Sequence, residues 1–192
     1  MDLKARYGDN SWVLITGSTS GIGYEMCKQF AERGFNVVLQ GRNKETLLKC
    51  QKEVQEVSDK IKTRIIVADL NKSTEPSFYL DIVDQCKDID VSILVNNAGI
   101  SYDNDALNVD RKILKDMIEV NVFALQLLSQ AFVKSLASRK QRSAIINVSS
   151  CGGTSPIPFF TNYGATKMFV RHFSFSLSEE LKVRYLVLNN DF

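Results

Sequence analysis

The sequence carries a single histidine, His172, and four cysteines set far apart (Cys27, Cys50, Cys86 and Cys151) with no CxxC pair. Zinc needs clustered His or Cys ligands, so none is expected, and His172 is expected at a helix surface. Cysteines so dispersed do not make a disulfide framework; they read as reduced thiols of an intracellular compartment. Charge of one sign is lacking as well: 24 Lys and Arg against 22 Asp and Glu leave a net charge of +2, with the signs interspersed. That argues against a dedicated nucleic-acid or acidic-membrane binder, which would show a basic stripe. The densest basic run, Arg139-Lys140-Gln141-Arg142, follows a long helical pattern and is expected to complement the negative end of its dipole. No apolar run approaches the roughly 18 residues that span a bilayer, and Met1-Asp2-Leu3-Lys4 opens no signal-peptide core. The chain as written reads as soluble. Repeats, low-complexity tracts and linkers are missing too, so the 192 residues are expected to form one domain with a real core.

What recurs is an alternation of short β-branched runs with amphipathic stretches. The predicted strands are Trp12–Ile15, Asn36–Gln40, Thr63–Val67, Val91–Val95, Ala144–Val148 and Arg184–Leu188. Several are nearly continuous apolar runs, as parallel strands buried on both faces require. Between them lie helical stripes: Ile22, Met26 and Phe30, with Gly34 as a C-cap; Leu47, Val54 and Val57; Phe78, Ile82 and Cys86. A long fourth helix runs from Ile113 to Leu136, and a fifth carries Phe169, Phe173, Leu177 and Leu181. Such alternation implies right-handed βαβ units in a doubly wound sheet, which binds ligands outside the carboxyl ends of its strands.

The first strand runs into Thr16-Gly17-Ser18-Thr19-Ser20-Gly21-Ile22-Gly23. The glycines permit a tight turn and close backbone approach, and the helix that follows points unpaired N–H groups at a pyrophosphate. The second strand ends in Gln40-Gly41-Arg42-Asn43, without the carboxylate that would accept from the ribose of NAD. Arg42 can hold the extra phosphate of NADP, which makes NADPH the expected cofactor and NADH the less suitable one. The bland reading is a solvated arginine before a helix capped by Asn43. Tyr163-Gly164-Ala165-Thr166-Lys167 sets a phenol and an ammonium one helical turn apart on one face. A free tyrosine titrates near pH ~10, and a nearby cation favours its phenolate, so the pair suits general acid/base work. A hydrolase built on Ser150 or Cys151 lacks its base, since His172 is far along the next helix and no G-x-S-x-G turn occurs.

The TGxxxGxG turn, Asn96-Asn97-Ala98-Gly99, Asn147-Val148-Ser149-Ser150 and YxxxK, in this order, resemble the short-chain dehydrogenase/reductase family across almost the whole chain. The resemblance implies a Rossmann-like α/β fold, residues 1–192 forming one NAD(P)-binding domain. It also implies roles. Asp69 and the following Leu70 would meet the adenine, and Asn97, Ala98 and Gly99 would lie beside the adenosine ribose. Ser150, thirteen residues before Tyr163, would hydrogen-bond the substrate oxygen in preference to Ser149. Tyr163 would give the proton, Lys167 would lower its pKa and grip the ribose, and Asn121 would hold a water linking Lys167 to solvent. The stretches Asp2–Gly8 with Trp12, Gly34–Leu39 and Tyr163–Val170 are similar to a narrower group. That group is the very-long-chain 3-oxoacyl-CoA reductases and 17-beta-hydroxysteroid dehydrogenases, which reduce ketones with NADPH, usually at the endoplasmic reticulum.

The family continues past its sixth strand through a Pro-Gly turn, a substrate-covering segment and a seventh strand. Here the sequence reads Leu188-Asn189-Asn190-Asp191-Phe192, so six strands are expected, with the seventh strand and the substrate lobe missing. The group's upstream membrane segments are missing as well. An excerpt, a truncated isoform and a degenerate copy all fit, and the location is the endoplasmic reticulum by resemblance or the cytoplasm if the chain is complete as given. The leading expectation is an NADPH-dependent reductase of a lipid-like ketone; the competing one is a cofactor-binding or interaction protein without turnover. Apolar residues on more than one side of the Phe169–Leu181 helix fit a possible homodimer.

Overall fold

Val13, Leu14, Ile15, Val37, Val38 and Leu39 are wholly removed from solvent. Each such side chain contributes roughly 2 kcal/mol by leaving water, and only strands covered on both faces can bury a continuous run of this kind. The computed structural model describes residues 2–72, 74–103 and 105–185. It contains β1 (Trp12–Thr16), β2 (Asn36–Gly41), β3 (Thr63–Val67), β4 (Val91–Asn96) and β5 (Ala144–Asn147). They form one parallel sheet in the order β3-β2-β1-β4-β5. Trp12 to Thr16 pair with Asn36 to Gln40 on one side, and Val13 to Ile15 with Ile93 to Val95 on the other.

Alternate strand residues feed two cores. Val13, Ile15, Val37 and Leu39 face α2 (Gly21–Glu32) and α3 (Lys44–Gln55) through Cys27, Ala31, Leu47 and Val54. Leu14, Val38, Ile66 and Leu94 face the opposite layer. That layer holds α4 (Pro76–Asp84), α6 (Ala124–Ser138) and α7 (Thr161–Tyr185), represented by Ile82, Leu128, Phe132 and Leu181. Gly34 follows α2 at φ +79, a left-handed position where glycine is unstrained, and Asn43 Oδ1 caps α3 by accepting from Thr46 N at 2.9 Å. A short α1 (Leu3–Tyr7), capped by Asp2, packs Leu3 and Tyr7 against the α2/α3 core. Because β1 connects outward to β2 and β3 while β4 and β5 lie on its other side, the connections diverge between β1 and β4. The crevice at their carboxyl ends is where such folds bind ligands.

A polar chain crosses the second layer. Asn96 Nδ2 donates to Ser129 Oγ (3.0 Å) and Asn147 Oδ1 (2.9 Å), and Asn147 Nδ2 donates to Ser174 Oγ (2.8 Å). It fixes α6 and α7 to the ends of β4 and β5, directly beneath the crevice.

Three expectations change. The long fourth helix is α5 (Arg111–Ile118), a π-turn (Glu119–Phe123) and then α6, because the i→i+5 turn takes in one residue more than an α-helix would. Arg139, at the C-terminal cap of α6, does more than face the helix dipole. Its guanidinium, with only 8% of the side chain exposed, pairs with Asp90 (2.6 Å) and donates to Tyr7 O (2.6 Å), fastening the bottom of the sheet to α1. The sixth predicted strand begins wrongly: Arg184 and Tyr185 continue α7, since Ser178 to Tyr185 contains no glycine or proline to end a helix. Residues 186–188 of that prediction lie outside the described residues.

The stretch Arg111–Ser138, 28 residues with a window of mean hydropathy 1.3, is long and apolar enough to cross a membrane. Leu128, Phe132 and Leu136 pack in the core beneath the sheet, which accounts for much of that hydropathy. Cys27, Cys50 and Cys86 are buried free thiols and Cys151 is exposed. Burial pushes the Cys27 thiol up to about 12 and Cys86 to about 11, so neither forms a thiolate readily. His172 is exposed, and no group of three His, Cys, Asp or Glu among the described residues could hold a metal.

Candidate active site

The carboxyl ends of the strands open into a cleft of about 430 Å³. One wall is the turn after β1. Thr16 Oγ1 accepts from Asn97 N (3.0 Å) and Ala98 N (2.9 Å), while Asn97 Nδ2 donates to Thr16 O (2.8 Å). These bonds lock the ends of β1 and β4 together. Gly17 stands at φ +63, and a methyl there would be 2.9 Å from Ala98 Cα. A methyl on Gly23 would collide with Asn97 Nδ2 and stand 2.6 Å from Gly17 O. Gly21, at φ +56, has nothing within 4 Å of where its methyl would point. Ser20 gives α2 no side-chain cap, so its first-turn N–H groups remain available for an anion. Ser18 is fully buried and donates from Oγ to Gln40 O (3.0 Å), which ties the turn to β2.

The far end of the cleft is built by β2 and β3. Gln40, Gly41 and Arg42 line it, and so do Ala68, Asp69, Leu70 and Asn71. Asp69 Oδ1 accepts from Asn71 N (3.2 Å), which sets the carboxylate's orientation. Gln40 Nε2 donates to Ala68 O (2.7 Å), while its Oε1 is buried without a hydrogen-bond partner.

The near end is built by β5, the Cys151–Gly153 turn and α7. Lys167 is 5% exposed; its Nζ donates to Val148 O (2.9 Å) and lies 5.8 Å from the centre of the Tyr163 ring. Burial pulls the Lys167 pKa below the ordinary lysine value. Ser149 Oγ donates to Lys167 O (2.9 Å), a packing bond that occupies this hydroxyl. Ser150 Oγ accepts from Gly152 N (3.2 Å). A single methyl on Gly152 would lie 3.7 Å from both Ser150 Oγ and Tyr163 Cδ1, so the two residues converge there.

Asn121 sits in the π-turn, 1% exposed. Its Oδ1 accepts from Ile100 N (2.8 Å), and its Nδ2 donates to Ile100 O (2.9 Å) and Thr166 Oγ1 (3.0 Å). Asn121 Oδ1 and Lys167 Nζ both come within 3.3 Å of the spot a methyl on Gly99 would take. Asn121 therefore fastens the loop after β4 to α7 at the lysine. Asn121→Leu should leave the part-buried Ile100 N and O without their partner and remove the donor to Thr166 Oγ1, which keeps its bond to Tyr163 O, lowering stability by about 2 kcal/mol, read as a lower midpoint in urea at unchanged slope.

Of the predicted residues, Gly17, Ser20, Ile22, Arg42, Asp69, Leu70, Asn97, Ala98, Gly99, Tyr163 and Lys167 line the cleft. Thr16, Ser18, Gly21, Gly23, Asn121 and Ser150 stand behind or beside the lining and shape it. Sequence reasoning passed over Gln40, Asn71, Tyr102 and Asp116, which also line it. Gln40 and Asn71 were findable as neighbours of strand ends. Asp116 carries no such signal, because its ion pair with Lys112 (2.8 Å) reads as ordinary helix-surface spacing.

The human very-long-chain 3-oxoacyl-CoA reductase is 34% identical over 183 residues, covering 91% of this chain and 56% of its own length. The human inactive hydroxysteroid dehydrogenase-like protein 1 is 36% identical over 183 residues, covering 93% of this chain and 53% of its own. The chain thus spans about half the length of these relatives. Among solved structures, a short-chain dehydrogenase from Sphingobium yanoikuyae in complex with NADPH superposes with a TM-score of 0.78 at 29% identity, covering 91% of this chain and 66% of that one. The sequence profile of the short chain dehydrogenase family matches residues 11–190, from the start of β1 through all of α7. The chain belongs to the short-chain dehydrogenase family.

Proposed function

We propose that this chain is an NADPH-dependent carbonyl reductase acting on a lipid-like ketone, either a 3-oxoacyl-CoA or a steroid-like one. The observation that carries the reading is the meeting of Tyr163, Lys167 and the glycine turn on one cleft. The residues present fit the dinucleotide. Gly17 and Gly23 leave no room for side chains, the start of α2 is uncapped, and Arg42 lines the end where NADP carries its extra phosphate. The turn and α2 would take the pyrophosphate, Asp69 and Leu70 the adenine, and Asn97 to Gly99 the adenosine ribose. Tyr163 and Lys167 would take the other ribose. Relatives named for 3-oxoacyl-CoA reduction and a structural neighbour holding NADPH support this choice.

When bound, NADPH supplies the hydride. Tyr163 Oη donates a proton to the substrate oxygen. Lys167 stabilises the phenolate left behind, and its buried ammonium acts strongly because little water screens it. Ser150 Oγ donates a hydrogen bond to the same oxygen and opposes its developing charge. Asn121 positions Lys167 and Ile100 and keeps the lysine end of the site in register.

The direct test is a steady-state assay of the chain with NADPH and a 3-oxoacyl-CoA. NADPH binding without reduction of any ketone would leave a binding role in place of the enzyme. Arg42→Ala should raise the KM for NADPH by roughly 10-fold or more and leave that for NADH unchanged, since a charge-assisted phosphate contact is worth about 1.5–3 kcal/mol. A homodimer belongs to the same proposal, supported by Met168 and Phe175 exposed on α7 and Phe123 exposed on the π-turn. So does an endoplasmic-reticulum location, by analogy with the reductases.

A further inference from the structure

Asp116 stands on α5 one turn after Lys112, and their 2.8 Å ion pair has the spacing of a solvated helix surface. The two ends of the pair are placed very differently. The lysine side chain is 81% exposed and the aspartate side chain only 17%. Asp116 is turned inward onto the wall of the cleft. Its carboxylate also accepts from the side chain of Asn71, in the turn after β3, which puts it at the far end of that cleft. The bonds from Lys112 and, less strongly, from Asn71 hold the Asp116 carboxyl below its ordinary range, so it is an ionised acceptor at neutral pH. An exposed ion pair on a helix is worth under about 1 kcal/mol and does not call for an acid turned into a cleft.

Asn71 ties Asp116 to a second acid. Its backbone N–H donates to Asp69 Oδ1 (3.2 Å) while its side-chain amide serves Asp116, so one residue sets both carboxylates on the same wall. Lys112 offsets part of their repulsion. The rest of this wall is rich in acceptors too. Gln40 is 1% exposed, and Nε2 is committed to Ala68 O (2.7 Å), which leaves Oε1 without a donor. Asn71 Oδ1 is buried in the same condition, because a carboxylate only accepts and its partner on Asn71 must be Nδ2. These two oxygens are shielded from direct contact, yet their lone pairs favour a donor at this end of the cleft and oppose an acceptor. A group that offers two N–H donors and no acceptor suits the two carboxylates.

We propose that Asp116 is a specificity-determining residue for the base of the cofactor, its carboxylate accepting one N–H of the 6-amino group while Asp69 accepts the other. Together they select a 6-amino purine over a 6-oxo purine, whose oxygen would face two negative acceptors. The inference rests on the NADPH reading, because it takes the far end of the cleft as the adenine site. It adds to that reading a contact from α5, across the cleft from the turn that holds Asp69.

The test is a fluorescence titration of the full chain with NADPH and with its 6-oxo analogue, reduced nicotinamide hypoxanthine dinucleotide phosphate. The wild-type chain should bind NADPH at least ~100-fold more tightly, since a site built around a donor rejects a ligand that lacks it. Asp116→Asn is nearly isosteric and keeps a carbonyl oxygen for the Asn71 amide, so Asp69 stays in place and thermal melting should be little changed. Its own N–H groups then face the base, and the discrimination should fall by ~10-fold or more, mostly through weaker NADPH binding. Asp116→Ala should lower the discrimination in the same direction. A merely structural role would weaken both dinucleotides equally. An unchanged ratio in the asparagine variant, or a wild-type chain that binds the two dinucleotides alike, would overturn the role of Asp116 and leave the NADPH reading intact. A wild-type chain that binds neither dinucleotide overturns the NADPH reading, and the role of Asp116 falls with it.

Discussion

Tyr163→Phe should lower ketone reduction by about a thousandfold, within the range that a positioned general acid supplies. NADPH affinity should change little, as measured by fluorescence titration. The substitution removes one oxygen and keeps the ring, so the edge-on contact with Phe160 and the approach to Gly152 survive. The melting temperature should therefore stay within about 2 °C of the parent. Lys167 is the control. Lys167→Met removes the cation proposed to stabilise the phenolate, but it also releases a buried ammonium whose pKa burial already lowers. The two variants separate proton donation from the electrostatic support behind it. Undiminished turnover by the phenylalanine variant would remove Tyr163 from the chemistry.

The second large effect is on stability. Gly153→Ala would set a methyl 2.7 Å from Lys167 C, 2.8 Å from Lys167 O and 3.0 Å from Met168 N. All three are backbone atoms of α7, so no rotamer change relieves the clash. Overpacking of this kind costs about 3 kcal/mol, and a chain of this size would lose roughly 6–12 °C in melting temperature. The displacement has a second consequence. Ser149 Oγ bonds Lys167 O and Lys167 Nζ bonds Val148 O, so pushing the helix outward loosens both ties between β5 and α7. The alanine variant should lose activity below the temperature at which it unfolds, which circular dichroism alongside a rate assay would reveal.

Much of this architecture was legible in the sequence because its signals are local. Doubly covered strands are unbroken apolar runs, so Thr63–Val67 was placed to the residue and the first, second, fourth and fifth strands within one residue at either end. The glycine turn was recognisable because it stands between a strand and a helix, and Tyr163 and Lys167 because a four-residue interval defines one helix face. What stayed hidden depends on distant partners. Arg139 and Asp90 are 49 residues apart, and nothing in either neighbourhood announces their pairing. Asp116 reaches the cleft from a helix whose local pattern is that of a solvated surface. The end of α7 misled for another reason: Val183 to Leu188 is rich in β-branched and aromatic residues, but no breaker precedes it, and the helix persists through Tyr185.

The π-turn at Glu119–Phe123 lets two faces of one long rod point where each is needed. Residues of a regular helix advance about 100° each, so one additional residue in a turn shifts everything after it by that angle relative to what precedes it. Asp116 before the turn and Val120 at its start look into the cleft; after it, Leu125, Leu128 and Phe132 look into the core. An uninterrupted α-helix would put these two sets out of phase with their surroundings. The irregularity works as a gear between ligand-facing and sheet-facing periodicities, and Asn121 stands on the tooth.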